Sequence, residues 1–226
     1  MKLLALETST EACSAALAVD GDVRERYEIA PRRHAELILP MVDGLLKDAG
    51  VRLTDLDAFA FGRGPGAFTG VRIAAGVIQG LAFGADRAVI PVSTLAALAQ
   101  GAVAEANAIA AAIDARMGEI YWGTFTVGND GLVVAAGEER VCKADSVEVP
   151  NAAEWFGVGT GWATYGEILS GKLGSRLRGL AGDRFPRAQD VLKLATRELE
   201  AGRAVTAAEA LPVYLRHPVQ GSPTSR

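Results

Sequence analysis

Lys2-Leu3-Leu4-Ala5-Leu6-Glu7-Thr8-Ser9-Thr10 is a short apolar run stopped by an acid and three hydroxyl residues. The order of elements behind this run decides the fold. Ala12 to Val19 is a second apolar run, Asp20-Gly21 is a strong hairpin signal, and Val23 to Ile29 returns as a third strand. Pro31 ends it. The same order begins again at Ile109. Ile109 to Ile113 is an apolar strand stopped by Asp114-Ala115-Arg116, Glu119 to Val127 is the next strand, Asn129-Asp130-Gly131 is a turn, and Leu132 to Val141 returns. A three-stranded meander with helices after it, present twice, predicts two stacked α/β lobes, with Glu7 and Asp114 at equivalent places. The halves fall at 1–107 and 108–216. His217 to Arg226, rich in Pro and Ser, is expected to be a mobile tail.

The 226 residues suffice for a sizeable core. Half are hydrophobic but only 6% are aromatic, which favours close packing of elements through Ala and Gly. The net charge of −4 excludes a grip on nucleic acid by overall charge, because unaided binding needs a basic face. Cys13 and Cys142 stand far apart, and no Cys/His spacing resembles a zinc site. Cys13, inside an apolar run, suits a small buried hydrophobe. No signal peptide is recognised, and no apolar run approaches the roughly 18 residues of a membrane span. The expectation is a cytoplasmic protein without metal or cofactor.

Between the meanders lie the helices. Glu36 to Ala49 places Leu37, Ile38, Met41, Val42, Leu45 and Leu46 on one face, and Gly50 closes it. Strand Ala58 to Phe61 runs into Gly62-Arg63-Gly64-Pro65-Gly66-Ala67-Phe68-Thr69-Gly70-Val71-Arg72, and a helix is predicted over Ile73 to Phe83. Val89 to Val92 is a strand, and Ser93 caps a helix from Thr94 to about Ala106. In the second half, helices are predicted around Ser146 to Trp155, over Trp162 to Leu169, and over Gln189 to Ala201. Phe156 to Gly161 is a strand ending in a second glycine turn.

The glycine stretch admits two readings. Backbone N–H groups ahead of a helix N-terminus could cradle a phosphate. However, the Lys of a nucleotide P-loop is missing and a dinucleotide fingerprint fits only loosely. The other reading is a tight strand-to-helix turn. The helix behind it has one polar residue, Gln79, between Ile73 and Phe83. It lacks a polar face, so it is covered either by its own fold or by another chain. Glu7 and Asp114 sit where strands end, the place for ligands in α/β sheets, so a paired-carboxylate Mg²⁺ site competes with simple turn capping. His34 has no partner histidine four residues on, which leaves it a surface or capping group. No nucleophile set such as G-x-S-x-G occurs.

Several blocks together resemble the bacterial TsaB (YeaZ) family: Leu3 to Ala12, Arg33-His34-Ala35-Glu36, Gly62 to Arg72, Ile113 to Trp122, and Pro212-Val213-Tyr214-Leu215-Arg216. They run through nearly the whole chain in the family's order. The resemblance implies a duplicated actin-like, Hsp70-like, sugar-kinase-like (ribonuclease H-like) fold. It also implies work in making threonylcarbamoyladenosine beside the anticodon of tRNAs that read A-starting codons. In that family the protein is a degenerate paralogue and non-catalytic partner of the transferase TsaD. It pairs with TsaD through first-lobe helices, the ATPase TsaE joins them, and tRNA is met only through the complex.

On that basis Leu37, Met41, Leu45, Gly70, Ile73, Val77 and Leu81 are expected at the partner interface. Glu7, Thr8, Gly62, Gly64, Gly66 and Asp114 are expected to be remnants of a nucleotide site. Glu7 stands where the superfamily usually has Asp, which disfavours direct Mg²⁺–nucleotide chemistry. A third reading is self-association, a homodimer through the same helices when the transferase is absent. The alternative is an independent ATP-binding enzyme, a kinase or peptidase of the same fold.

Overall fold

The computed structural model describes residues 1–151 and 154–216. The tail expected from His217 lies outside the described residues.

The first meander forms as expected: β1 (Lys2–Glu7), β2 (Ala12–Val19) and β3 (Asp22–Ile29) are antiparallel neighbours. β4 (Ala58–Gly62) then pairs parallel to β1, and β5 (Ala88–Val92) pairs parallel to β4. The sheet order is β3-β2-β1-β4-β5. The second sheet repeats the scheme. β6 (Ala108–Arg116) and β7 (Glu119–Val127) are antiparallel, and β7 pairs in turn with β8 (Val133–Ala135) and β9 (Arg140–Lys143). β10 (Trp155–Val158) and β11 (Leu177–Ala181) add parallel strands on the other side of β6. β6 therefore corresponds to β1, and Asp114 to Glu7.

Alternation along the strands sorts side chains to the two faces. On the first sheet Leu4, Leu6, Phe59 and Phe61 face outward into one cluster. There they meet α1 (His34–Ala49) and α2 (Phe68–Ala85). Leu3, Ala5, Ala58 and Ala60 face inward into a second cluster. The small alanines let a helix layer approach closely. That layer is α3 (Thr94–Gln100) with α5 (Ala188–Glu200), whose Val191, Leu192, Leu194 and Ala195 are buried. Behind the second sheet, α4 (Thr160–Leu173) covers Trp122 and Trp155 with its own Trp162. The layers therefore run α1/α2, sheet, α3/α5, sheet, α4.

The structure corrects several boundaries. α2 starts at Phe68, five residues before the expected Ile73, so Phe68 to Arg72 belong to the helix and the loop shrinks to Arg63–Ala67. α3 stops at Gln100, because Gly101 and Ala102 turn the chain. The expected strand over 132–141 is divided into β8 and β9. No α-helix forms over 146–155 among the described residues, only the end of a single 3-10 turn at Ala144–Ser146. Pro150 interrupts that stretch, and Trp155 joins a strand. β11 has no counterpart among the expected elements.

The second half of the chain also returns to the first sheet. α5 packs on β1, β2, β4 and β5, Val205 bridges Val89 of β5, and the Val213 N–H donates to the Arg63 carbonyl. α2 is long and apolar enough, by length and composition, to meet the test for a membrane span, contrary to the expectation for this chain. Here one side of it, including Ala74, Ile78 and Ala82, lies in the outer core of the first sheet.

Candidate functional site

The β1–β2 loop, the glycine loop and the start of α2 meet at one end of the first sheet. Glu7 is fully buried there. Its Oε1 accepts the Ser9 N–H at 2.7 Å and the Ser9 hydroxyl at 2.5 Å, and its Oε2 accepts the Thr94 hydroxyl at 3.2 Å. Thr94 Oγ1 in turn accepts the Gly64 N–H at 3.1 Å. The Thr8 hydroxyl donates to the Gly70 carbonyl at 2.8 Å. One buried carboxylate thus ties three loops together.

This network explains the glycines. A Cβ on Gly62 would overlap the Glu7 carboxylate, one on Gly66 the Ser9 backbone, and one on Gly70 the Thr8 carbonyl. Three of the loop's N–H groups are committed as well. Arg63 donates to Val92 O, Gly64 to Thr94 Oγ1, and Ala67 to Ser9 O. A phosphate cradle needs such donors free. These bonds and the glycines let the Glu7–Thr10 segment pack against the loop.

Burial pushes the Glu7 carboxyl above its ordinary value of 4.5, against the opposing effect of its hydrogen bonds from Ser9 and Thr94. Below that ordinary value the acid is protonated in both folded and unfolded chains, and burial of charge costs nothing. As pH rises through the raised folded value, the unfolded chain ionises freely while the folded chain resists, so stability is lost. Glu7→Gln keeps an acceptor for Ser9 without a charge. Its melting temperature relative to the wild type should therefore rise as pH increases above 4.5, with the gain absent in more acidic buffer. A constant difference from pH 4 to pH 8 by differential scanning calorimetry would show that Glu7 titrates normally.

Between the two sheets lies a cleft of about 840 Å³, bounded by Ser9, Thr10, Gly66, Phe68, Asp114 and Arg116 among others. Glu7 is not on its wall, so Glu7 and Asp114 do not form a carboxylate pair there. Asp114 is held by its neighbour: Oδ1 accepts the Arg116 N–H at 2.8 Å and Oδ2 accepts the guanidinium at 3.0 Å. Arg116 also reaches Glu11 of the first lobe at 3.1 Å, spanning the cleft. Arg116 and Met117 both have left-handed backbone, with φ of 63° and 57°. Such strain costs about 1–3 kcal/mol per residue and needs surrounding support. Arg216 supplies it, bonding Glu119 at 2.5 Å and the Ala115 carbonyl at 3.2 Å. Among the described residues no three His, Cys, Asp or Glu converge as for a metal. His34 is buried, not a surface group; its Nε2 lies 3.2 Å from the Ala12 carbonyl.

The expected interface residues separate into two groups. Met41 and Leu45 are buried in the chain's own core, and Gly70 is buried at the start of α2 beside the cleft. Leu37, Ile73, Val77 and Leu81 are half-buried at the rim of that core. Beside them run Gly76, Gly80 and Gly84, where an added Cβ would meet open space. Phe83, at 84% exposure, ends the stripe. Ser9, Glu11, Thr94, Arg116 and Arg216 belong to the site but not to the expected set. Only spacing to Asp114 could have found Arg116; the others come together through long-range folding.

Residues 27–203 match the family model for TsaD, tRNA N6-adenosine threonylcarbamoyltransferase. The tRNA threonylcarbamoyladenosine biosynthesis protein TsaB of Escherichia coli (strain K12) is 43% identical over 224 residues, covering 97% of this chain and 96% of that protein. The Haemophilus influenzae protein of the same name is also 43% identical, covering 97% and 95%. Among solved structures, YeaZ from Pseudomonas aeruginosa aligns with a TM-score of 0.89 at 52% identity, covering 95% of this chain and 99% of that one.

Proposed function

The chain belongs to the TsaB family of tRNA threonylcarbamoyladenosine biosynthesis proteins, with the family's two-lobed actin-like fold, and from that premise we propose that it is a non-catalytic cytoplasmic subunit that seats a TsaD-like transferase on α1 and α2. The observation that carries this reading is the outer face of α2. Gly76, Gly80 and Gly84 leave its backbone bare over about two turns, with Ile73, Val77 and Leu81 alongside. A bare, apolar helix strip lets a second helix approach closely and bury both. The TsaD family match over 27–203 adds support, because a paralogue of like fold would present like helices. A TsaE-like ATPase would join the assembled pair, and the same strip would hold a second copy of this chain when the transferase is absent.

The Arg63, Gly64 and Ala67 N–H groups, bonded within the chain, and the buried Glu7 weigh against the rival reading, an independent ATP-dependent enzyme. The test is reconstitution of tRNA threonylcarbamoylation from purified components. Leaving this chain out should lower the initial rate at least tenfold. An unchanged rate would overturn the reading.

A further inference from the structure

The opposite flank of α2 carries a different chemistry. Phe68, in the first turn, is 66% exposed, and Tyr214 of the C-terminal segment is 46% exposed. Their ring centroids are 6.1 Å apart. The Arg72 guanidinium carbon lies 3.2 Å from the Phe68 centroid and 4.8 Å from that of Tyr214. Arg72 bonds only to the Phe68 carbonyl, at 3.2 Å, and to no carboxylate among the described residues. Arg32, on the adjoining cleft wall, likewise has no ion pair among the described residues. The nearby acids are paired: Glu11 and Asp114 share Arg116, and Glu119 pairs with Arg216. Set against these three acids, the four arginines leave the patch one net positive charge on a chain that is acidic overall.

Helical geometry places this patch at one edge of the glycine strip. At 3.6 residues per turn, Phe68 lies roughly 80° around the helix from Gly76, 120° from Gly80 and 160° from Gly84, with Arg72 between Phe68 and Gly76. Gln79, on the same side as Phe68, is held by the Ala210 carbonyl of the C-terminal segment at 3.2 Å. A protein seated on Gly76, Gly80 and Gly84 leaves Phe68 and Tyr214 at its edge.

We infer that Phe68, Tyr214 and Arg72 form a stacking platform for unpaired nucleotides of tRNA. Exposed aromatic faces accept bases without regard to sequence, a stacked arginine adds cation–π attraction, and free arginines take the phosphates. A protein partner would instead favour a continuous apolar strip, which the other flank supplies. The inference rests on the proposed role in tRNA modification and deepens it, giving this subunit its own contact with the substrate.

The test measures binding of an unmodified tRNA transcript to the assembled complex by fluorescence anisotropy. It is run for the wild type and for complexes carrying Phe68→Ala with Tyr214→Ala, Arg72→Gln, or Phe68→Trp. The double alanine variant should weaken tRNA binding about tenfold or more, because each lost stack is worth a several-fold factor. Arg72→Gln should weaken it several-fold and flatten its salt dependence. Phe68→Trp, which keeps an aromatic face, should bind as the wild type does. Affinity for the transferase subunit should not change in any of them. Unchanged tRNA affinity in the double variant would overturn the inference, and so would a parallel loss of transferase affinity, which would assign the patch to a protein contact. Failure of the wild-type chain to join the transferase would instead contradict the proposed function itself.

Discussion

Val77→Glu is expected to abolish the complex with the transferase while leaving the free chain folded. Val77 is half-buried beside Gly76 and Gly80, whose Cβ positions open onto free space. In the free chain a glutamate there can turn its carboxylate into water, and Glu is at least as good a helix former as Val. Under a partner helix the same carboxylate would be buried without a counter-ion. An uncompensated buried charge costs about 3–5 kcal/mol, which is a loss of roughly two to nearly four powers of ten in affinity. Size-exclusion chromatography should show two separate peaks where the wild type gives one. The variant's melting temperature should stay within about 2 °C of the wild type, less than 1 kcal/mol for a chain of this length. A co-eluting complex would place the transferase elsewhere on the molecule.

The second large effect lies inside the chain. Gly62→Ala should destabilise it by about 3 kcal/mol, since the new methyl overlaps a group that cannot retreat. Glu7 is held from one side by the Ser9 N–H and hydroxyl and from the other by Thr94. At about 2–4 °C per kcal/mol for a chain of this size, the melting temperature should fall by roughly 6–12 °C. The outer glycines should behave oppositely. Gly76→Ala meets open space and should stabilise the free chain by about 0.5–1 kcal/mol, because alanine loses less backbone entropy in a helix. A double-mutant cycle sharpens the point. In a Glu7→Ala background, Gly62→Ala should cost far less than it does alone, because the overlapping carboxylate has gone. Equal costs in both backgrounds would mean that the glycine is required for some other reason.

These two glycine sets show what local pattern conveys and what it omits. The meander repeat, its turns and the alternation of Leu and Ala along β1 are local, and they are legible because strand periodicity and Asp-Gly turns act over a few residues. The equivalence of Glu7 and Asp114 comes from the same order of elements. The glycine loop is legible as a loop but not as to purpose. Whether Gly62, Gly64 and Gly66 serve a phosphate or their own chain depends on the positions of Glu7, Ser9 and Thr94, which only the packed β1–β2 loop and α3 provide. Helical spacing places Leu37, Met41 and Leu45 on one apolar face of α1. It cannot say that Met41 and Leu45 face the sheet while Leu37 lies at the rim. Phe68 and Arg72 are hidden because the glycines suggest loop where the chain already turns as helix. The Arg116–Glu11 pair joins residues more than a hundred positions apart, beyond the reach of any local pattern.

The proposed seat of the transferase on α2 can be probed without disturbing either surface strongly. A cysteine at Gly80 would stand in open space on the outer face, while Cys13 is buried, its thiol pushed up to about 11 by burial, and Cys142 is half-buried. Maleimide labelling of Gly80→Cys, read by intact-mass spectrometry, should be rapid for the free chain and blocked when the transferase subunit is added. A cysteine in place of the exposed Ile168 on α4 should label equally in both samples. If Gly80→Cys labels at the same rate with the transferase bound, the glycine strip of α2 is not its seat.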